Sequence, residues 1–227
     1  MSKPRSASYG KMEHAILVAA GELFDRQGFN QTSLRDIADA VGMARPSLYH
    51  YFDSREQILV AGVENLTPAR NALTEKISGM GGAPMNRLNA LMLGLGTLIS
   101  QNPVWVRVLT RDEAALPEET RIRDRDSRLA YFELLVDTLR EGMDRGHIRR
   151  RDERATALTI VSAIGGLQGQ YVATTVAPSG DITELIVDVI LRGVLATKRR
   201  TGTPVESGLD LILEGVEMIK HADTQRP

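Results

Sequence analysis

The side chains able to do chemistry in this chain are arginines, hydroxyls and a few aromatic rings gathered between positions 32 and 55. Arg35, Arg45 and Arg55 each fall near the start of one of three successive short helical patterns. A helix start also offers free backbone N–H groups to an anion. The run Arg45-Pro46-Ser47 stands at the tip of the middle pattern, and Ser47, Tyr49 and His50 face outward from it. Guanidinium, hydroxyl and imidazole groups without a paired nucleophile and base suit recognition of phosphates and base edges rather than bond making. Catalysis finds no support elsewhere. His14, His50, His147 and His221 include no pair at i, i+4 and no carboxylate cluster with ligand spacing, so no metal site is expected. Gly-x-Ser-x-Gly, a P-loop lysine and a dinucleotide fingerprint are all missing. Gly94-Leu95-Gly96 and Gly165-Gly166-Leu167-Gln168-Gly169 sit on helical patterns with no preceding strand, which reads as helix packing. The expectation is a protein that is not an enzyme and has no cofactor.

The elements that position these groups follow from local signals. Ser33 caps a helix over Leu34 to Val41, with Asp36 three residues on as a short capping box. Gly42 permits the left-handed turn that ends it. A second helix begins near Arg45, with Pro46 in its first turn, where a missing N–H costs nothing. Leu48 and Phe52 point back to a small core. Two short helices about a glycine turn, the second showing polar and aromatic groups, make the pattern of a DNA-reading helix-turn-helix. Ile16, Ala19, Ala20, Leu23 and Phe24 form the apolar stripe of a preceding helix over about Tyr9 to Gln27. Together these give a three-helix head.

The remainder reads as helix after helix. Ser54 with Gln57 caps a fourth helix, which Pro68 should kink or stop near Thr67, either as a plain end and restart or as a hinge between head and body. Residues 79–84 form a loop, followed by a helix over about 85–100 and a short one holding Val104, Trp105, Val108 and Leu109. A long helix runs from Glu118 to about Arg145. Its first half alternates in charge, the habit of a solvated face. Helices over about 153–177 and 182–198 and a last amphipathic helix over 207–222 complete the pattern. The fold class is all-α, a three-helix helix-turn-helix DNA-binding head plus a larger helical body. The boundaries fall at residues 1–53 and 54–227.

The chain's 227 residues, 42% hydrophobic and 25% charged, suit a globular protein with enough apolar material for a core. No apolar run is long enough to span a membrane, and no hydrophobic signal core opens the chain. With no cysteines, disulfides and thiolate metal sites are excluded, and a cytoplasmic protein is expected. The net charge is -1, and the head itself is nearly neutral. Lys3, Arg5, Lys11, Arg26, Arg35, Arg45 and Arg55 face Glu13, Glu22, Asp25, Asp36, Asp39 and Asp53. DNA affinity must therefore come from where the arginines stand, with Lys3 and Arg5 adding a basic N-terminal arm. A head too neutral to read DNA would leave a small-molecule binding or interaction module, the alternative reading.

Residues 16 to 59, IL-x-AA-x-x-LF-x-x-x-GF, then T-S-L-x-x-IADAVG, then R-P-S-LYHYF-x-S-x-E-x-IL, resemble the tetracycline-repressor (TetR) family of bacterial transcription regulators. The resemblance implies a homodimer that binds a palindromic operator in double-stranded DNA. Its recognition helices would enter successive major grooves. By matching positions it implies contacts to backbone or bases from Thr32, Ser33 and Arg35. Arg45, Pro46 and Ser47 would read bases. Tyr49, His50 and Tyr51 would hold phosphates, as would Arg55 where lysine is usual. Ala44 departs from the serine that often caps the recognition helix. The body would bind a small apolar or amphipathic ligand, for which Met92, Trp105, Phe132, Leu135, Gln168 and Tyr171 are the candidates. Dimerisation would run through helices 153–177 and 182–198.

Overall fold

Cap signals in the sequence become helix ends in the structure. A computed structural model describes residues 7–166 and 179–194 of the chain. Helix α1 spans Ala7–Gln27, α2 Leu34–Ala40, α3 Arg45–Leu48, α4 Arg55–Val63 and α5 Leu66–Ser78. Then come α6 (Pro84–Gln101), α7 (Pro103–Asp112), α8 (Glu118–Asp144), α9 (Glu153–Gly165) and α10 (Ser179–Val194). A short 3-10 turn at Glu113–Ala115 joins α7 to α8. Among the described residues there is no β-strand, only an isolated bridge at Ile148. Ser33, Ser54 and Asp152 accept from the backbone N–H groups of Asp36, Gln57 and Ala155 and so start α2, α4 and α9. The expected helix at 207–222, the basic arm at Lys3 and Arg5, and the second half of the helix expected over 153–177 lie outside the described residues. The helix expected from 182 begins at Ser179.

Two apolar clusters organise these helices. The first gathers Ile16, Phe24, Ile37, Leu48, Phe52, Ile58 and Leu59 of α1 to α4, and extends to Val108 and Leu109 of α7. The second fills the body with side chains of α5, α6, α8, α9 and α10. The head's core therefore reaches past residue 53, because α4 and α7 close it. At that closure the indole of Trp105 lies between two glycines. A Cβ on Gly21 of α1 would stand 3.2 Å from the ring, and one on Gly62 of α4 would overlap it. Trp105 also meets Phe24 edge-on, with centroids 6.2 Å apart. Polar ties reinforce the seam. Arg107 holds Asp25 at 2.6 Å, and Arg111 donates to the carbonyls of Phe24 and Asp25 in the last turn of α1. Those carbonyls end a helix, where cations are favoured.

Gly94 and Gly96 serve helix packing as expected, against Leu73 and Thr183. Two other expectations are revised. The break in the fourth helix falls at Glu64–Asn65, and Pro68 lies in the first turn of α5. Glu64 and Asn65 keep helical dihedral angles, so α4 and α5 meet as an end and restart with no open loop. The charge-dense first half of α8 is also more than a solvated face. Asp124 is 2% exposed and pairs with the buried Arg70 of α5, at 3.0 Å between Oδ1 and Nη1. Thr67 Oγ1 donates to the same oxygen at 3.3 Å, and Ser127 Oγ to the Thr67 carbonyl at 3.4 Å. Alternating charge hides such a residue, because a sequence does not show which acid turns inward.

Replacing Gly62 by alanine should overpack the Trp105 seat and cost about 1–3 kcal/mol in urea denaturation. In a Trp105→Leu background the same change should cost clearly less, as a double-mutant cycle will register.

Candidate nucleic-acid interface and ligand cavity

The loop after α1 sets the turn motif. Gly28 takes φ +89°, which only glycine adopts cheaply, and Phe29 folds back on Phe24. Thr32 is 1% exposed. Its hydroxyl donates to the Gly28 carbonyl at 2.9 Å and accepts from Gln27 Nε2 at 3.2 Å. Its side chain is thus engaged inside the fold. Ser33 opens α2 through a reciprocal box. Asp36 N–H donates to Ser33 Oγ at 3.2 Å, and Ser33 N–H to Asp36 Oδ2 at 2.8 Å. The Ser33 N–H, and then its hydroxyl, hold the Asp36 carboxyl below its usual range. A depressed carboxyl pKa means that this cap contributes at neutral pH and is lost as pH falls through the folded-state value.

Arg35 points outward and pairs with Asp39, itself largely exposed, at 3.7 Å. Such a pair is easily exchanged for a phosphate. Gly42, at φ +65°, turns the chain into α3. Ala44 stands at the N-cap and supplies no side-chain acceptor. The omission costs little here. Pro46 has no N–H, and the Ser47 N–H already reaches the Ala44 carbonyl at 2.8 Å. The exposed face then shows Arg45, Pro46, Tyr49 and His50, with Ser47 half-buried. Arg45 Nη2 donates to the Tyr49 hydroxyl at 3.2 Å, and its guanidinium sits 5.9 Å from the Tyr49 ring centroid. That contact holds the guanidinium out at the tip of the motif. Tyr51 stacks on Tyr9 of α1 at 4.5 Å, and the Tyr9 hydroxyl donates to the His50 carbonyl at 3.2 Å. Both contacts tie the far end of the motif to α1.

Arg55 is engaged within the head. Its Nη1 donates toward the carbonyls of Phe29, Asn30 and Thr32 at 3.0–3.1 Å, and its guanidinium covers the Phe29 ring at 4.6 Å. It clamps the α1–α2 loop. No local pattern marks this, since the three carbonyls lie more than twenty residues away.

In the body, a cavity of about 450 Å³ lies among α5, α6, α7, α8 and α9. Leu98, Leu109, Leu129 and Phe132 give it apolar walls, and Arg70, Arg125 and Arg128 add cationic groups. Phe132 is the expected ligand residue found there. Met92 and Leu135 are wholly buried in the body core, and Trp105 belongs to the seam with the head. Gln168 and Tyr171 lie outside the described residues. Tyr131 closes part of the wall. Its hydroxyl donates to the Leu91 carbonyl at 3.0 Å, and burial pushes its ionisation well above the usual range. Arg125 and Arg128 sit in the charge-alternating run, which does not show which charges turn toward a cavity. On α9 and α10, Leu158, Leu185 and Val189 are 60%, 59% and 61% exposed, an apolar display at the helices expected to dimerise.

Residues 16–61 match the family described as "Bacterial regulatory proteins, tetR family", and residues 81–194 match "Tetracyclin repressor-like, C-terminal domain". The HTH-type transcriptional repressor KstR2 of Mycobacterium tuberculosis is 29% identical over 138 residues, 59% of this chain and 68% of that protein. The structure of the ketosteroid transcriptional regulator KstR2 from the same organism superposes with a TM-score of 0.75 at 20% identity, covering 82% of this chain and 96% of the other. AibR, solved in complex with isovaleryl coenzyme A and operator DNA, gives a TM-score of 0.63 at 23% identity, covering 81% and 98%. No helix among the described residues is long and apolar enough to cross a membrane. With the helix-turn-helix and most of the body both matched, the chain belongs to the TetR family of bacterial transcriptional regulators, DNA-binding proteins rather than enzymes.

Proposed function

We propose that this regulator is a homodimeric repressor that leaves a palindromic operator when a small apolar or amphipathic molecule enters the body. The observation that carries the reading is α7. Its Val108 and Leu109 belong to the head's core, while Val106, Leu109 and Thr110 line the cavity. A ligand that reshapes the cavity therefore presses on a helix already fixed to α1 and α4. The thermodynamic requirement is that ligand and operator prefer different arrangements of those helices. At the DNA, Arg45 reads guanine, Pro46 and Ser47 meet neighbouring edges, and Ser33, Arg35, Tyr49 and His50 hold backbone. Tyr51 acts there through its stack on Tyr9. The apolar residues Leu158, Leu185 and Val189 form the contact between copies, which supports dimerisation through α9 and α10. AibR, with its bound isovaleryl coenzyme A, supports an acyl compound as the kind of ligand.

Mobility shift with duplex DNA from upstream of the protein's own gene tests this. A preferred duplex should be bound at moderate salt, and binding no tighter than to random DNA overturns the reading. Arg45→Ala should cost about 1–3 kcal/mol on the preferred site and relax base preference. Arg55→Gln should instead lower head stability, by about 2 kcal/mol for the lost charge-assisted bonds, read as a fall in melting temperature. A paired change, Leu185→Glu with Val189→Glu, should give a monomer by light scattering and abolish tight operator binding.

A further inference from the structure

The cavity's polar groups are arranged with one sign. Among its described lining residues, Arg70, Arg125 and Arg128 are cationic and none is acidic. Asp124, which pairs with Arg70 and Arg128, does not itself line the cavity. Its side chain is 3% exposed and lies between two arginines, with Arg70 Nη1 at 3.0 Å from Oδ1 and Arg128 Nε at 2.9 Å from Oδ2. The second approach is close but poorly aimed, and Oδ2 accepts no hydrogen bond from the described residues. Arg128 is in any case shared, donating at 2.7 Å to Glu113 in the turn after α7. Among the described residues Arg125 pairs with exposed Asp126, at 3.6 Å. A buried carboxylate with an unsatisfied oxygen is costly, and this one holds arginines that an incoming anion would satisfy as well.

We propose that the cavity takes an amphipathic anion, with an apolar tail among Leu98, Leu129 and Phe132 and an anionic head that competes with Asp124 for the arginines. This rests on the reading of the chain as a ligand-responsive regulator and names the class of its ligand. The volume suits a medium-length acyl chain or a compact fused-ring acid. A neutral ligand of equal shape gains the apolar contacts alone, and a cationic one meets three guanidinium groups. Asp124 then acts as a built-in competitor, an anion outside the cavity lining that engages Arg70 and Arg128 while the cavity is empty. A ligand that displaces it loosens the tie between α5 and α8 and draws Arg128 from Glu113, next to α7.

Calorimetric titration of the full chain with decanoate, decanol, decyltrimethylammonium and decanoyl coenzyme A tests this. At least one of the two acyl anions should bind about ten-fold or more tighter than decanol, and the ammonium should bind most weakly. Decanoate and its coenzyme A ester together distinguish a free acid from a thioester as the source of the anion. Arg128→Gln, at a partly exposed position, should bring the acyl anion down to the level of decanol. Asp124→Asn should tighten the anion several-fold and leave decanol unchanged, whereas a merely structural Asp124 would weaken both. Equal binding of acyl anion and alcohol, preference for the ammonium, no binding by any of the four, or weakening of the anion by a folded Asp124→Asn protein overturns the proposal. If thermal melting shows that variant unfolded, the Arg128→Gln result decides. Operator binding without ligand is measured alongside. Its loss with anion preference intact refutes the regulator reading alone, and the reverse refutes this one alone.

Discussion

The seat of Trp105 between Gly21 and Gly62 is the contact on which the coupling of head and body depends. Close-packed interiors do not deform smoothly, so a ring held by two helix backbones moves with both or with neither. The helix that carries it spans the junction, with head core on one side and cavity wall on the other. Arg107 and Arg111 fasten the same helix to the end of α1. Their pairing makes α1, α4 and α7 one mechanical unit, from which the short α2 and α3 are suspended. On the proposed function, a change in the body that moves α7 carries α1 and α4 with it.

The head was legible because its signals are local. Ser33 with Asp36, Ser54 with Gln57, and glycine at 28 and 42 each specify a backbone event within a few residues. An apolar stripe from Ile16 to Phe24 then leaves a single way to pack three short helices. The body's all-helical character was legible for the same reason. Pro68 announced an interruption within a few residues of the true one, since a proline in a first turn and a proline at a kink look alike in sequence.

What escaped depends on partners far along the chain. Arg55 and Thr32 stand where a DNA contact is plausible, yet the fold engages both in closing the loop after α1. Arg70 and Asp124 are 54 residues apart and meet only when α5 packs on α8. Large apolar residues drew attention as ligand contacts, but Met92 and Leu135 have no cavity face. The available clue was Gly62, a glycine on the buried face of a helix in a chain with one tryptophan. It marks a close approach without naming what approaches.

Leu109 belongs at once to the head's core and to the cavity wall. A substitution there changes the packing of both at once. Arg125, Leu129 and Phe132 of α8 and Val161 of α9 line the cavity without entering the head. Selection for a new inducer can act on these positions while operator recognition is preserved.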